Sequence, residues 1–239
     1  MMLSGYLRSG AEKMGMKLDT GVIDGIARYH ELLTRANEKF NLTRISADPR
    51  ESAFRNYLDS LAPIAFKGLA DGARTILDAG SGAGLPGVPL ALALKECRVT
   101  MIDSSGKKVR FIRDACRQLE LDAQTIHARL EDCARKADLR EKFDACVCRA
   151  LAPMRVLVEI TLPFVVVGGV LIAYKGPSAM DELDAAQNAI ELLGGKALPI
   201  LKVPSPADEW EHRLVVVKKV APTPAAYPRK ASIPTKNPL

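Results

Sequence analysis

Ile76-Leu77-Asp78-Ala79-Gly80-Ser81-Gly82-Ala83-Gly84-Leu85-Pro86-Gly87 is the stretch that decides the fold of this 239-residue chain. A short apolar run leads into a glycine-rich turn, and a second apolar run that is compatible with a helix follows. Because glycine has no Cβ, such a turn after a strand brings bare backbone close to a ligand. The stretch therefore predicts a strand, a ligand-binding turn and a helix.

An acidic residue closes the next apolar run. Asp103 follows Val99-Thr100-Met101-Ile102 and lies about 20 residues beyond the glycines, where a nucleotide-binding fold places the carboxylate that holds ribose hydroxyls. The alternative is a helix N-cap before Lys107. We favour ribose binding, because Asp103 closes the second strand, and we expect a nucleoside-containing cofactor.

The spacing of the glycines distinguishes between cofactors. A dinucleotide-binding turn reads G-x-G-x-x-G, and its third glycine would fall on residue 85, which is leucine here. The observed pattern is G-x-G-x-G, with Gly84 last, and it resembles the loop that binds S-adenosylmethionine. A nicotinamide dehydrogenase is disfavoured by Leu85, and a phosphate-binding P-loop is excluded because no Gly-Lys-Ser/Thr follows.

Strands and helices alternate outward from this stretch. The predicted strands are 75–78, 99–103, 124–127, 144–149, 168–174, 198–203 and 214–220, and the predicted helices between them are 87–95, 107–120, 153–161 and 180–193. Such alternation predicts a parallel sheet covered on both faces. The loop 204–213 has no room for a helix, so the last two strands should form an antiparallel hairpin. The expected α/β fold is a Rossmann-like, seven-stranded doubly wound sheet, the arrangement of class I methyltransferases, which depend on S-adenosylmethionine.

Segments of different character flank the predicted sheet. Residues 21–40 have helical spacing, and Asp48-Pro49-Arg50-Glu51 predicts a second helix start with a capping box. We therefore expect a helical extension at 1–70, a cofactor-binding domain at 71–220 and a basic, proline-rich tail at 221–239 without regular structure.

Composition restricts the function class. The chain carries a net charge of +6 and is 48% hydrophobic, as expected for a globular protein with an anionic partner. The five cysteines lack zinc-site spacing, and Cys146 and Cys148 are expected to be small buried hydrophobes. Reduced thiols and the lack of a secretory signal suggest a cytoplasmic protein. The longest apolar stretch, 162–173, is too short to span a bilayer. We expect neither a metal nor a membrane partner.

Several motifs together resemble one known family. They are Phe40-Asn41-Leu42-Thr43, Leu58-Asp59-Ser60, the glycine loop with its Leu-Pro-Gly ending, Asp103 to Phe111, Arg149-Ala150, Tyr174-Lys175-Gly176, Leu214 to Val217, and Tyr227-Pro228-Arg229-Lys230. In combination they are similar to the RsmG (GidB) family of 16S ribosomal RNA guanine-N7 methyltransferases. The chain differs from the family's usual pattern before Leu58 and at Glu211-His212-Arg213.

The resemblance implies a function and a set of site residues. It implies methyl transfer from S-adenosylmethionine to N7 of a guanine, with 16S rRNA or the 30S subunit as partner and a monomeric enzyme. Carried over by position, the cofactor-binding residues are Gly80, Gly82, Leu85, Asp103, Leu130, Glu131 and Arg149. Guanine N7 has a lone pair and no proton, so the reaction needs placement rather than a general base. Accordingly, His30, His127 and His212 are scattered along the sequence.

Two of these residues allow a second interpretation. Arg149 ends a strand on the side where open sheets bind ligands, so it is our candidate catalytic residue, orienting the cofactor or the guanine edge. Alternatively it forms a structural ion pair with Glu131 or Asp103. Glu131 either accepts from the adenine amine or caps the short segment after the third strand.

The surface around the predicted site raises further expectations. Basic residues could face RNA, namely Arg44, Arg55, Lys107, Lys108, Arg110, Arg113, Lys175, Arg229 and Lys230. We expect three residues to lie over the cleft: Phe40, Asn41 and Tyr57. The alternative for Phe40 is a position in the core. Two alternative functions stay open: a methyltransferase acting on another substrate, and a non-catalytic RNA-binding module with this fold.

Overall fold

A mixed sheet of eight strands forms the centre of the computed structural model, which describes residues 2–70, 72–206 and 211–239. The strands are β1 (Thr75–Ala79), β2 (Arg98–Asp103), β3 (Ala123–His127), β4 (Phe143–Arg149), β5 (Val165–Lys175), β6 (Gly195–Ala197), β7 (Leu201–Lys202) and β8 (Arg213–Lys219). Their order is β3-β2-β1-β4-β5-β8-β6, and β7 also pairs with β8. The first five strands are parallel, so their carboxyl ends lie at one edge of the sheet.

Helices cover both faces of the sheet. They are α1 (Leu3–Lys13), α2 (Thr20–Phe40), α3 (Pro49–Ser52), α4 (Gly87–Ala93), α5 (Gly106–Gln118), α6 (Leu130–Cys133), α7 (Met154–Thr161), α8 (Ala179–Leu192) and α9 (Ile233–Lys236). Neighbouring side chains of β1 point to opposite faces: Ile76 joins a core with α2, α4 and α5, whereas Leu77 joins a core with α7 and α8. A parallel sheet buried on both faces explains why its strands are continuous apolar runs.

The end of the sheet differs in detail from the prediction. The expected strand 198–203 is replaced by two short strands, β6 and β7, which both pair antiparallel with β8. Within the described residues the sheet therefore has eight strands rather than seven. The antiparallel hairpin is confirmed, since Leu201 pairs with Leu214. β8 also pairs antiparallel with β5 over six residue pairs, from Val170↔Lys218 to Lys175↔Arg213, so it lies between β5 and the short strands.

The N-terminal extension is helical, as predicted, but one detail is wrong. Asp48 does cap α3, accepting from the Arg50 N–H at 2.8 Å. The reciprocal half of the capping box is replaced by an ion pair, because Glu51 lies 3.2 Å from Arg55 and the Asp48 N–H donates to the Ser46 hydroxyl. After α3 the chain continues as a π-helix over Ala53–Leu58.

The tail is more ordered than expected. It contains the single helical turn α9, and it is tied to the domain by Arg229, which contacts the fully buried carboxylate of Glu159. The Arg229 backbone N–H, Nε and Nη2 donate to that carboxylate at 2.8, 2.9 and 2.6 Å. Arg140 donates to the carbonyls of Thr223 and Tyr227, both at 2.8 Å. Tertiary contacts thus order a segment whose composition predicts a loop.

Candidate active site

A cavity of about 470 Å³ lies at the carboxyl ends of β1, β2 and β4. It brings together all seven residues proposed for the cofactor: Gly80, Gly82, Leu85, Asp103, Leu130, Glu131 and Arg149. Leu42, Thr43 and Lys108 also line it, although sequence reasoning did not assign them to the site. Its volume lies within the ordinary range for small-molecule sites, about 300–1,000 Å³.

The first two glycines of the loop adopt conformations that favour glycine. Gly80 has φ +74° and Gly82 has φ +58°, in the left-handed region that side chains rarely enter. A Cβ on Gly80 would lie 2.6 Å from Leu151 Cδ1, whereas a Cβ on Gly82 would meet no described atom within 4 Å. Gly82 therefore leaves bare backbone beside open space in the cavity, as the close approach of a ligand requires.

Packing of the N-terminal extension explains why the third position of the loop, residue 84, is a glycine. Gly84 has φ +95°, and a Cβ there would lie 2.8 Å from the hydroxyl of Tyr29 on α2. Tyr29 is fully buried and its hydroxyl donates to the carbonyl of Ala83. Burial raises the pKa of Tyr29 well above its ordinary value, so the hydroxyl keeps its proton. The G-x-G-x-G spacing thus also makes room for a helix that lies 54 residues earlier in the chain.

Asp78 stabilises the C-terminal end of the glycine-rich loop from its buried side. Its Oδ2 accepts from the Gly87 N–H at 2.8 Å, and a Cβ on Gly87 would lie 2.6 Å from the same oxygen. Asp78 is completely buried, and its Oδ1 has no hydrogen-bond partner within the described part of the chain. Burial raises the pKa of this carboxyl to about 7, since an ion is costly without water.

Asp103 joins the glycine loop to the turn after β2. Its Oδ2 accepts from the Gly82 N–H and its Oδ1 from the Ser105 N–H, both at 2.8 Å. The N-cap residue of α5 is Ser105. The alternative interpretation, that Asp103 is the N-cap of this helix, is therefore wrong. Each carboxylate oxygen has a second lone pair, which leaves both of them able to accept from a ligand.

Arg149 is not paired with Glu131 or Asp103, the two acids named in the alternative interpretation, both of which are among the described residues. Its Nη1 donates to Asp59 Oδ2 at 3.0 Å and to the carbonyl of Arg55 at 3.1 Å. Asp59 is 1% exposed, and its Oδ1 lies 2.7 Å from Nδ1 of His212. The structure thus gives Arg149 a structural partner while keeping it on the cavity wall.

Asp59 and His212 are functional candidates that sequence reasoning missed. They lie 153 residues apart, so no local spacing relates them, and His212 is not the isolated histidine that its sequence position suggests. The signal in the sequence is the Leu58-Asp59-Ser60 motif, and the structure places Arg149 and His212 at its carboxylate.

Leu130 and Glu131 begin α6, beside the cavity. Residue 129 is the N-cap of this helix, and no side chain among the described residues makes a capping hydrogen bond there. Glu131 is not the N-cap residue, so the capping interpretation is wrong, and Glu131 lines the cavity.

The residues expected over the cleft are distributed differently. Phe40 is 52% exposed, so it is not a core residue, and its ring centroid lies 5.9 Å from Lys107 Nζ. Tyr57 is fully buried, with its hydroxyl 2.9 Å from His30 Nδ1. The described cavity wall contains Leu42 and Thr43, which follow directly after Phe40 and Asn41.

Two of the nine basic residues proposed to face RNA, Lys175 and Arg229, are partly buried and paired with acids. Lys175 lies 2.6 Å from Glu182 with a side chain that is 9% exposed, and Arg229 is paired with Glu159. Arg44, Arg55, Lys107, Arg110, Arg113 and Lys230 are exposed. The potential RNA-facing surface is thus smaller than the sequence suggests.

The cysteines offer no nucleophile. All five are free and buried, and burial raises the pKa of Cys148 to about 12. Cys146 and Cys148 are small buried hydrophobes, as predicted. In the part of the chain that the structure covers, no cluster of His, Cys, Asp or Glu suits a metal ion, and none of the helices combines the length and apolar character that a bilayer crossing needs.

Comparison with known proteins agrees with this geometry. A solved O-methyltransferase from Bacillus cereus, determined in complex with SAH, superposes with a TM-score of 0.57 at 17% identity, covering 81% of this chain and 91% of that one. At this identity the likeness supports the fold alone, and it confirms the expected class I methyltransferase architecture.

Sequence relatives identify the family. The chain is 39% identical to a ribosomal RNA small subunit methyltransferase G from Alkaliphilus oremlandii, covering 100% of both proteins. It is 41% identical to the protein of that description from Lactobacillus johnsonii, covering 95% of both. Residues 23–210 match the family described as GidB, rRNA small subunit methyltransferase G. The chain therefore belongs to the GidB family of ribosomal RNA small subunit methyltransferases.

Proposed function

We propose that this protein transfers a methyl group from S-adenosylmethionine to N7 of a guanine in 16S rRNA. The observation that carries the proposal is the convergence of all seven residues implied by the family resemblance on one cavity. Asp103 would accept from the ribose hydroxyls, Glu131 from the adenine amine, and Leu130 would offer apolar surface to the base. Gly80, Gly82 and Leu85 would let the cofactor approach the backbone.

The cavity is suited to such a cofactor. At Gly82, bare backbone borders open space that a Cβ would occupy, and the Asp103 oxygens keep acceptor capacity beyond their two backbone contacts. When bound, S-adenosylmethionine supplies an electrophilic methyl group on a sulfonium. The protein's own contribution is to hold both reactants in line, a placement worth several kcal/mol, about 7–11 in the best intramolecular cases.

Arg149 is the proposed orienting residue. Its described hydrogen bonds to protein all use Nη1, so its remaining N–H groups can contact the cofactor or the guanine. Because N7 has no proton, no residue of the chain needs to act as a base in this reaction.

We propose further that residues 71–220 form the catalytic domain, flanked by the extension 1–70 and the tail 221–239. The enzyme would act as a cytoplasmic monomer, since the ribosomal substrate resides in the cytoplasm and one chain supplies all seven residues.

The test is methyl transfer to hypomethylated substrate. Purified protein is incubated with labelled S-adenosylmethionine and with 30S subunits or free 16S rRNA from a strain lacking its own enzyme. We expect label at N7 of one guanine in at least one substrate. Cofactor binding without labelling of either substrate would contradict the rRNA assignment and favour another substrate, and no binding of S-adenosylhomocysteine would favour a non-catalytic module.

A further inference from the structure

A second cavity adjoins the proposed cofactor cavity. It has a volume of about 320 Å³, and the two cavities share Arg149 and Ala150. Its other walls are Asp59, Tyr174, Lys175, Gly176, Glu182 and His212. Because β4 and β5 are parallel neighbours, the carboxyl ends of both strands contribute to it. The two cavities meet at Arg149 and Ala150, so a ligand in the second cavity would lie directly beside the cofactor.

The shared wall is held by the buried carboxylate of Asp59. One oxygen accepts from Arg149 at 3.0 Å, and the other lies 2.7 Å from His212 Nδ1. These three residues come from the N-terminal extension, the end of β4 and the position just before β8. Such a clamp sets the position of Arg149 without occupying the whole guanidinium, as a group that contacts both reactants requires.

Glu182 is the carboxylate that a ligand in the second cavity can reach. Its side chain is 27% exposed, whereas that of Asp59 is 1% exposed. Oε2 accepts from Lys175 at 2.6 Å and from the Met154 N–H at 3.1 Å, while Oε1 has a longer contact, 3.3 Å, with Ser178. Oε1 therefore keeps one lone pair that can accept a further hydrogen bond.

We propose that this second cavity receives the target guanine, with Oε1 of Glu182 accepting from its N1–H. The inference rests on the proposed function and names the base-binding part of that site. With the Watson–Crick edge held by Glu182, the edge that carries N7 faces the boundary between the two cavities, where the methyl group of the cofactor would lie.

Charge movement during the reaction supports a carboxylate at this position. The N7 lone pair forms the new bond to the methyl carbon, the carbon–sulfur bond breaks, and sulfur keeps the electron pair. Positive charge thus moves from the sulfonium to the purine, and no proton is transferred. A carboxylate hydrogen-bonded to N1–H stabilises the purine cation more than the neutral base, so this contact strengthens in the transition state.

Gly176 allows the cavity to be filled. A Cβ there would meet no described atom within 4 Å. Gly176 lines the second cavity but does not line the first. In Gly176→Leu we expect kcat/KM for hypomethylated 30S subunits to fall more than about tenfold. The affinity for S-adenosylhomocysteine, measured by calorimetry, should stay unchanged.

Gly72→Leu is the matched control. Gly72 also has open space for a Cβ, and it lies by Ala73 and Arg74, just before β1 at the opposite edge of the sheet. The activity of the Gly72→Leu variant should equal that of the wild type. Full activity in Gly176→Leu, a parallel loss of cofactor affinity, or an equal loss in Gly72→Leu would overturn the proposal.

Glu182→Gln tests the carboxylate itself. We expect kcat to fall about tenfold or more, with unchanged affinity for S-adenosylhomocysteine and an unchanged melting temperature. Wild-type kcat in this variant would overturn the assignment of Glu182, and so would a loss of activity that follows a loss of folding. A wild-type protein inactive on both 30S subunits and 16S rRNA would instead contradict the proposed function.

Discussion

At the scale of single residues, Asp78 and Asp103 both bind backbone N–H groups of the glycine-rich loop, but their surroundings differ. Asp103 lies on the cavity wall and accepts from two backbone N–H groups, whereas Asp78 is buried below and accepts from one. The sequence places both at strand ends. Only packing distinguishes them, because burial depends on what covers each side chain rather than on its neighbours in the chain.

Asp103→Asn should weaken cofactor binding. An amide has one acceptor oxygen, so it cannot accept from both the Gly82 and the Ser105 N–H groups, and it also loses the charge that strengthens hydrogen bonds to ribose hydroxyls. We expect about tenfold weaker binding of S-adenosylhomocysteine by calorimetry, from roughly 1.5–3 kcal/mol per charge-assisted bond. Asp122→Asn is the control, because this aspartate has a side chain that is 88% exposed. Equal affinities in the two variants would refute a role for Asp103.

Asp78→Asn should change how stability depends on pH. The pKa of Asp78 is raised from 3.8 to about 7 in the folded protein, so between these values the unfolded chain is ionised while the folded chain keeps the proton. This group therefore makes folding less favourable as pH rises from about 4 to about 7 and adds no further change above that. Asparagine can still accept from the Gly87 N–H but does not titrate.

The measurement is urea unfolding of the cofactor-free proteins across that range. The stability of Asp78→Asn relative to the wild type should rise by up to a few kcal/mol between about pH 4 and 7 and then level off. Parallel curves for the two proteins would show that Asp78 titrates normally.

At the scale of elements, the N-terminal helices help to shape the cofactor loop. α2 contributes Tyr29, whose hydroxyl binds the Ala83 carbonyl, and the π-helix carries Arg55 and Asn56, whose carbonyls accept from Arg149. The helical character of residues 21–40 was predictable from their spacing. Their contact with the loop was not, because it joins segments that are distant in sequence.

Tyr29→Phe should weaken cofactor binding through the loop. Loss of one buried hydrogen bond costs about 1 kcal/mol and leaves the Ala83 carbonyl unsatisfied, so we expect an affinity for S-adenosylhomocysteine about fivefold lower. Tyr57→Phe is the matched control: it removes another buried hydroxyl of the extension, one that contacts His30 instead of the loop. If both variants bind as tightly as the wild type, α2 does not shape the site.

At the scale of the whole molecule, the tail contributes to stability. Arg229→Ala leaves the Glu159 carboxylate, which is 0% exposed, without its cation. Breaking a buried ion pair in this way costs about 3–5 kcal/mol. Thermal unfolding should show a clearly lower melting temperature than for Lys230→Ala, an exposed neighbour. If the two variants melt together, the tail is not held by this pair.

The exposed basic residues near the cavity should govern RNA affinity. Arg44 and Lys107 are exposed and are next to Thr43 and Lys108, which line the cavity. The double variant Arg44→Ala/Lys107→Ala should bind 30S subunits more weakly. The slope of log K against log salt should fall by roughly 1 for each phosphate that the variant no longer neutralises.

Lys142→Ala serves as the control for that measurement, because Lys142 is exposed just before β4, at the opposite edge of the sheet. Its salt slope should match the wild type. An unchanged slope in the double variant would mean that RNA contacts a different face.

Local sequence patterns were enough to predict the strand–turn–helix around Gly80 and the acid at the end of β2. These are local features, set by hydrophobic period, by backbone conformations that glycine favours, and by the rule that parallel strands end at one edge. The packed fold was needed to show that Arg149 binds Asp59, 90 residues away, that Tyr29 requires Gly84, and that β8 lies between β5 and β6. Those pairings depend on which faces the packed helices and strands present to each other, and no spacing along the chain encodes that choice.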